Sequence, residues 1–275
     1  MRGALLLILL AASWPLVKER QVRVDPPTPG LSVQLARVEL ARELARAAPS
    51  GAVSATLDEQ ARALGLSLQR EGDVVALLEP QEPWLGQGVL LLRLGPLPQE
   101  LVLQAPHPTS DLKTGELTGQ LFDTGRVRAA MFATTHRDSG EDAAHDVESP
   151  LQQLTQGLAE GLPNPLFVQI HGFSASTSPA DVVVAVGRGL SDPDCAAKQV
   201  GAALLVTDVR TGAQEPLLAA TKNAQSLLLR GLARFLHIEL SKDLRDGLVA
   251  EPTRRDLLLG TLLDLAGDAQ CEGER

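Results

Sequence analysis

Apolar residues recur near helical spacing through "LSVQLARVELARELARAA" (31–48), where Leu31, Leu35, Val38 and Leu44 share one side and Arg and Glu the other. The pattern predicts a helix stopped at "PSG", followed by a second, shorter helix over "TLDEQARALG". "LSLQREGDVVALLEP" (66–80) then predicts two strands joined at the Gly-containing turn "REGD". Pro-rich "EPQEPW" and "LGPLPQE" bound this stretch, which makes residues 23–98 a small α+β segment behind the Pro/Gly linker "VDPPTPG". From residue 89 onward the pattern changes to continuous apolar runs at 89–94, 100–105, 129–135, 166–170, 181–186, 202–207 and 234–240. Continuous rather than alternating runs suit strands buried on both faces. Helical candidates lie between most of them, at 115–122, 150–160, 193–199, 223–233 and 253–267.

Strands alternating with helices predict a three-layer α/β fold: a mainly parallel or mixed open sheet with helices on both faces, over residues 99–275. One helix start is well specified. In "ESPLQQL", Ser149 is an N-cap, Pro150 stands at the first helical position and Gln152 completes a capping-box pattern. The polar "THRDSGEDAAHDVE" before it is then a long acidic loop, of the kind that is usually functional or mobile.

Composition narrows the function. The chain has 275 residues, 44% of them hydrophobic and 21% charged, an ordinary globular balance that can bury a sizeable core. With no Tyr, that core must come from Leu, Val, Ala and Ile. A net charge of −9 argues against a nucleic-acid binder, which needs a basic face. The first residues, "MRGALLLILLAASWPLVKER", carry an apolar run from Ala4 to Leu16, short for a membrane span and about the length of a signal-peptide core. Residues 1–22 are therefore expected to be a signal peptide or N-terminal anchor, and the protein to be exported to a periplasmic or extracellular space. The competing reading is a buried first element or a mis-assigned start. No membrane span is expected beyond that possible anchor. Cys195 and Cys271 are too few to define a disulfide scaffold and read as free or incidentally paired thiols.

Chemistry concentrates where strands end. Three of the five histidines share one grammar, an apolar run and then His: "VLQAPH" (His107), "MFATTH" (His136) and "FVQIH" (His171). The carboxyl ends of strands in an open parallel sheet form the binding edge, so residues scattered in sequence would converge there. A further run, "RFLHIELSKDLR", carries Glu239 near its end and Arg245 beyond. A single His at a strand end is more often a hydrogen-bonded turn residue, but the repetition favours a site. Imidazoles plus a carboxylate are donors that Zn²⁺ prefers. His107 with Asp111 could supply two ligands and His171 a third, with His136 and His145 as lesser candidates. No HExxH or CxxC motif is present.

"APHPTSDLKTGEL" followed by "ATTHR", "VQIHGF" and "FLHIELSKDLR" resembles the phage-type poly-γ-glutamate hydrolases and N-formylglutamate amidohydrolase-like enzymes of the zinc-carboxypeptidase-like class. The resemblance covers roughly residues 100–250. It implies an open α/β fold, zinc held by His107, Asp111 and His171, and Glu239 as general base. Two departures stand out: Pro108-Thr109 replaces the family's Gly-Gly, and the spacing to the acid is one residue shorter. The acid is also the short-armed Asp111, with Glu116 on the following helix as the alternative carboxylate.

The implied function is zinc-dependent hydrolysis of an amide bond in a γ-glutamyl, N-acyl amino-acid or peptide-like substrate carrying a carboxylate. Arg137 or Arg245 would hold that carboxylate in a bidentate pair. For Arg245 the plainer reading is a surface ion pair with Asp243 or Asp246. His136 would be a further substrate contact and His145 a lid residue. The alternative reading is an inactive exported metal- or ligand-binding domain of the same fold. A serine hydrolase using Ser139, Ser174 or Ser176 is disfavoured, because no GxSxG elbow is present.

Overall fold

The computed structural model describes residues 18, 29–80, 84–138, 142–187, 190, 192–267 and 271. Apart from Lys18, the leader lies outside these residues, as do most of the Pro/Gly linker and Ser139. The first helix, α1 (Leu31–Ala47), and α2 (Ala55–Ala63) lead into the hairpin β1 (Ser67–Glu71) and β2 (Val74–Leu78). Next come β3 (Val89–Arg93), β4 (Leu101–Ala105), α3 (Thr114–Phe122), β5 (Ala129–Phe132) and α4 (Pro150–Gly161). The second half runs β6 (Leu166–Gly172), β7 (Val182–Val186), α5 (Pro193–Leu204), β8 (Val209–Thr211), the short α6 (Ala224–Leu228) and β9 (Arg234–Leu240), then α7 (Lys242–Ala250) and α8 (Pro252–Gly267).

The strands form one nine-stranded mixed sheet in the order β1-β2-β3-β5-β4-β6-β9-β7-β8. Its centre, β5-β4-β6-β9, is parallel. The hairpin and β3 join antiparallel at one side, and β7 runs antiparallel to β9 at the other. Residues 67–93 therefore continue the same sheet as the α/β region.

The period-two alternation of a strand divides the sheet cleanly. One face, with Leu103, Val168, Ile170, Leu236 and Ile238, packs on Leu117 and Leu121 of α3, Val200 of α5, and Leu258 and Leu262 of α8. The other, with Val102, Phe167, Phe235 and Met131, packs on Leu40 and Leu44 of α1 and Leu151, Leu154 and Leu158 of α4. Helices on both faces complete the three layers expected of the sequence.

Side-chain caps set several helix starts. Ser149 accepts from the Gln152 N–H at the head of α4, with Pro150 at the first position. Asp192 and Ser241 cap α5 and α7 in the same way. Helix α1 lies close on α4 because Gly157 and Gly161 leave room: a Cβ on Gly157 would stand 2.5 Å from the Ala41 Cβ, and one on Gly161 the same distance from the Ala45 Cβ.

Two sequence expectations are corrected. The run 202–207, expected as a strand, instead spans the end of α5, whose last residues are 202–204 and which buries Ala196, Ala197, Val200 and Leu204 on one face. Leu205 stops it in a left-handed conformation, and the strand follows at Val209. The expected helix 223–233 is a single turn and a half, Ala224–Leu228, capped by Asn223. Cys195 and Cys271 are bonded to each other, tying residue 271 to α5. Among the described residues no helix is long and apolar enough to cross a membrane.

Candidate metal centre

The second face of the sheet changes character toward the carboxyl ends of its central strands. Phe167 and Phe235 give way to Gln169 and His237, and these to His171 and Glu239, each two residues further along. Parallel pairing of β6 with β9 sets Gln169 opposite His237 and His171 opposite Glu239. Polar side chains thus stack in layers on buried strands, with Gln104 of β4 beside Gln169.

The turn after β4 brings in the remaining donors. His107 follows Ala105 by two residues, and its carbonyl accepts from the Asp111 N–H at 2.9 Å, closing the turn. The Thr114 hydroxyl donates to the Asp111 carbonyl at 2.7 Å as α3 begins. The Asp111 carboxylate is thereby turned back under His107. Its Oδ2 lies 3.4 Å from His107 Nδ1 and 3.1 Å from His171 Nδ1, and it accepts from the Gly172 N–H at 3.3 Å. All three side chains are buried, and among the described residues they form the group of His, Cys, Asp or Glu whose donor atoms converge tightly enough to hold an ion.

Each imidazole is braced from behind. His107 Nε2 faces Asp142 Oδ1 at 2.6 Å, and His171 Nε2 faces Gln169 Oε1 at 3.1 Å. Burial opposes charge on His107, but hydrogen bonds and attraction from Asp111 and Asp142 outweigh it and raise its pKa to about 9. Burial likewise works against ionised Asp111, yet the hydrogen bonds of His107 and His171 hold it well below the carboxylate range. Asp142 is held low by His107 and His145 against its own desolvation. The His171 pKa is lowered by burial. Two ionised carboxylates around one imidazole mark a site that calls for positive charge.

The donors fit a divalent cation on chemistry and on geometry. Zinc takes imidazole nitrogen and carboxylate oxygen at about 2.0–2.2 Å, which spaces the atoms around a tetrahedral ion about 3.4 Å apart. The separations on Asp111 Oδ2 match. His107 Nδ1 is buried with Asp111 Oδ2 facing it at 3.4 Å, and the carboxylate behind Nε2 gives the carboxylate–histidine arrangement that supports a ligand.

The centre opens into a cavity of about 780 Å³ whose walls include Arg137, His145, Phe173, Asn223, Lys242 and Glu239. Glu239 is nearly buried and takes a contact from His237 Nε2 at 3.3 Å, while His237 stacks on His171 with ring centroids 4.7 Å apart. Arg137 donates through Nη1 to Asp111 Oδ1 at 2.9 Å, stays 40% exposed and lines the cavity. Arg245 is buried. Its Nη1 donates to the carbonyls of Leu240 at 2.5 Å and Phe173 at 3.3 Å, and it lies directly over Gly172, where a Cβ would collide with it. The exposed ion pair of that helix is Lys242 with Asp246.

Other sequence candidates fall outside the centre. His136 contacts the Ser110 hydroxyl at 3.2 Å and accepts from the Asp138 N–H at 3.3 Å. His145 is half-exposed at the rim, bonded to Asp142 Oδ2 at 3.0 Å. Glu116 pairs with Lys113 on the first turn of α3. Ser174 hydrogen-bonds Ser176 and Thr177.

No family model matches the chain, and no curated protein matches its sequence. Solved structures do show likeness. An N-formylglutamate amidohydrolase from Ralstonia eutropha JMP134 is 14% identical with a TM-score of 0.43, over 64% of this chain and 96% of that one. A metallo-carboxypeptidase from Burkholderia cenocepacia is 14% identical with a TM-score of 0.40, over 74% of this chain and 66% of that one. A bacteriophage poly-γ-glutamate hydrolase is 11% identical with a TM-score of 0.33, over 64% of this chain and 85% of that one.

Sequence reasoning missed three participants. His237 was legible, because it stands two residues before Glu239 on the same strand and so shares its face. Gln169 stands in the same relation to His171. Asp142 carried no local signal, since only the path of the loop brings it to His107, 35 residues away.

Proposed function

We propose that this chain is a metal-dependent amide hydrolase. The observation that carries the reading is the convergence of His107 Nδ1 and His171 Nδ1 on Asp111 Oδ2, with Glu239 in register beside His171 at the mouth of a cavity. The residues that would hold the ion are His107, Asp111 and His171, and the donor set suits Zn²⁺. When bound, such an ion supplies Lewis acidity toward a carbonyl and toward water.

The chain's own residues do the rest. Glu239 takes a proton from the attacking water and delivers it to the leaving amine, acting first as base and then as acid. Arg137 offers its remaining donors to a substrate carboxylate as a planar pair. Arg245 holds the backbone of Leu240 and Phe173 beneath the cavity and contributes a fixed positive charge near Asp111 and Glu239. The sequence resemblance over residues 100–250 supports an amide bond in a γ-glutamyl, N-acyl amino-acid or peptide-like substrate. The Pro108-Thr109 turn, the main ground for an inactive binding domain, still delivers the carboxylate to both imidazoles, which removes that ground.

Export is part of the proposal. The Cys195–Cys271 bond suits an oxidising compartment and accords with the signal-like run at Ala4–Leu16. Chelator-sensitive release of amine from γ-glutamyl or N-acyl amino-acid substrates, abolished in Glu239→Gln, tests the activity. Hydrolysis that survives complete metal removal would overturn it.

A further inference from the structure

Gln169 lies behind His171 within a hydrogen-bonded network whose direction can be read from its ends. The Gln225 Nε2 group donates to the Ala143 carbonyl at 2.9 Å, and a carbonyl can only accept. Gln225 Oε1 is therefore left to accept from Gln169 Nε2, at 3.0 Å. A second branch gives the same answer. The Thr155 hydroxyl donates to the Leu151 carbonyl and so accepts from Gln104 Nε2, leaving Gln104 Oε1 to accept from Gln169 at 3.1 Å. Two backbone carbonyls thus fix the Gln169 amide independently, with its nitrogen away from the site and its oxygen toward His171. Asn223 Nδ2 donates to that same oxygen at 2.6 Å.

We propose that Gln169 is a positioning residue that confines the His171 proton to Nε2 and so turns the Nδ1 lone pair toward the ion. This rests on the metal-centre reading above. Neutral imidazole has one donor and one acceptor nitrogen, and the partner of one decides the role of the other. Gln225 extends the arrangement: Ala143, its anchor, adjoins Asp142, which braces His107. One buried network thus steadies the rear nitrogens of both imidazoles, although Gln225 itself lines no part of the cavity.

The test uses the full chain loaded with zinc. Affinity is read by competition with a chromophoric chelator, and the imidazole protonation by long-range ¹H–¹⁵N spectra, with His171 assigned through His171→Asn. Wild type is expected to show His171 protonated at Nε2. Gln169→Leu should bind zinc about 10- to 100-fold more weakly. Gln169→Glu keeps an acceptor toward Nε2 but sets its second oxygen against the Gln225 and Gln104 oxygens, so it should recover only part of the loss. In zinc-loaded Gln169→Leu the His171 Nε2–H proton should move upfield as it loses its acceptor, a change that a merely structural role would not give. Should Gln169→Leu lack a cooperative melt, Gln169→Met, close to glutamine in shape and without the acceptor, takes its place with the same expected loss. Zinc bound by Gln169→Leu, or failing that by Gln169→Met, as tightly as by wild type overturns the positioning role alone. A His171 protonated at Nδ1 in the zinc-loaded wild type does the same. A wild type that binds no zinc overturns the metal centre and this inference with it.

Discussion

Glu239 stands opposite His171 on the neighbouring parallel strand, two residues beyond the paired His237 and Gln169. The pairing sets the carboxylate beside a proposed ligand, while Asp111 is the carboxylate that converges with the two imidazoles. Glu239→Gln is therefore expected to keep metal affinity while kcat falls by about 10²–10⁴. Chelator competition and steady-state kinetics on the same preparation check the separation.

Arg137 touches Asp111 through one nitrogen and lines the cavity. Arg137→Ala should raise KM for a substrate with a free carboxylate about 10- to 100-fold, the loss expected for a charge-assisted pair. The same substrate with its carboxylate amidated should show little difference between the two proteins. Arg137→Lys should recover only part of the loss, because an ammonium cannot reproduce the planar pair.

Helix α1 depends on the small residues of α4 to reach the sheet. Gly157→Ala would force its Cβ against the Ala41 Cβ and the backbone at Val38, and should cost about 1–3 kcal/mol of stability. A lower melting temperature with unchanged zinc affinity is the expected result, because the overpacking lies away from His107 and His171.

The Cys195–Cys271 bond closes a loop across 76 positions of sequence. Replacing both residues with Ser should lower stability by about 2–4 kcal/mol, read as a shift in denaturant midpoint. The metal centre shares no residue with this clasp, so its affinity should hold under conditions where the variant is folded.

What could be read from sequence follows how local each cause is. The start of α4 was legible because Ser149, Pro150 and Gln152 act on the same turn. His107, His171 and Glu239 were legible as candidates because strand ends are a recurrent place for chemistry and each follows a largely apolar run. The run at 202–207 misled because it straddles the end of α5: Leu204 is buried in the last helical turn, while Leu205 is exposed just past it. Asp192-Pro193 marked the start of that helix, yet nothing nearby marked its end short of Leu205. The antiparallel setting of β7 between β9 and β8 had no signature in its own residues, since direction follows from the path of the whole chain. Asp142 and Gln225 were invisible for the same reason: each gains its role from a partner in another element.

Metal content tests the central claim most directly. Purified, folded wild-type protein equilibrated with zinc and freed of excess should retain one equivalent per chain. His107→Ala and His171→Ala should each retain far less while keeping a cooperative melt. Wild-type protein without bound metal at neutral pH, or full zinc retention in both variants, would contradict the account.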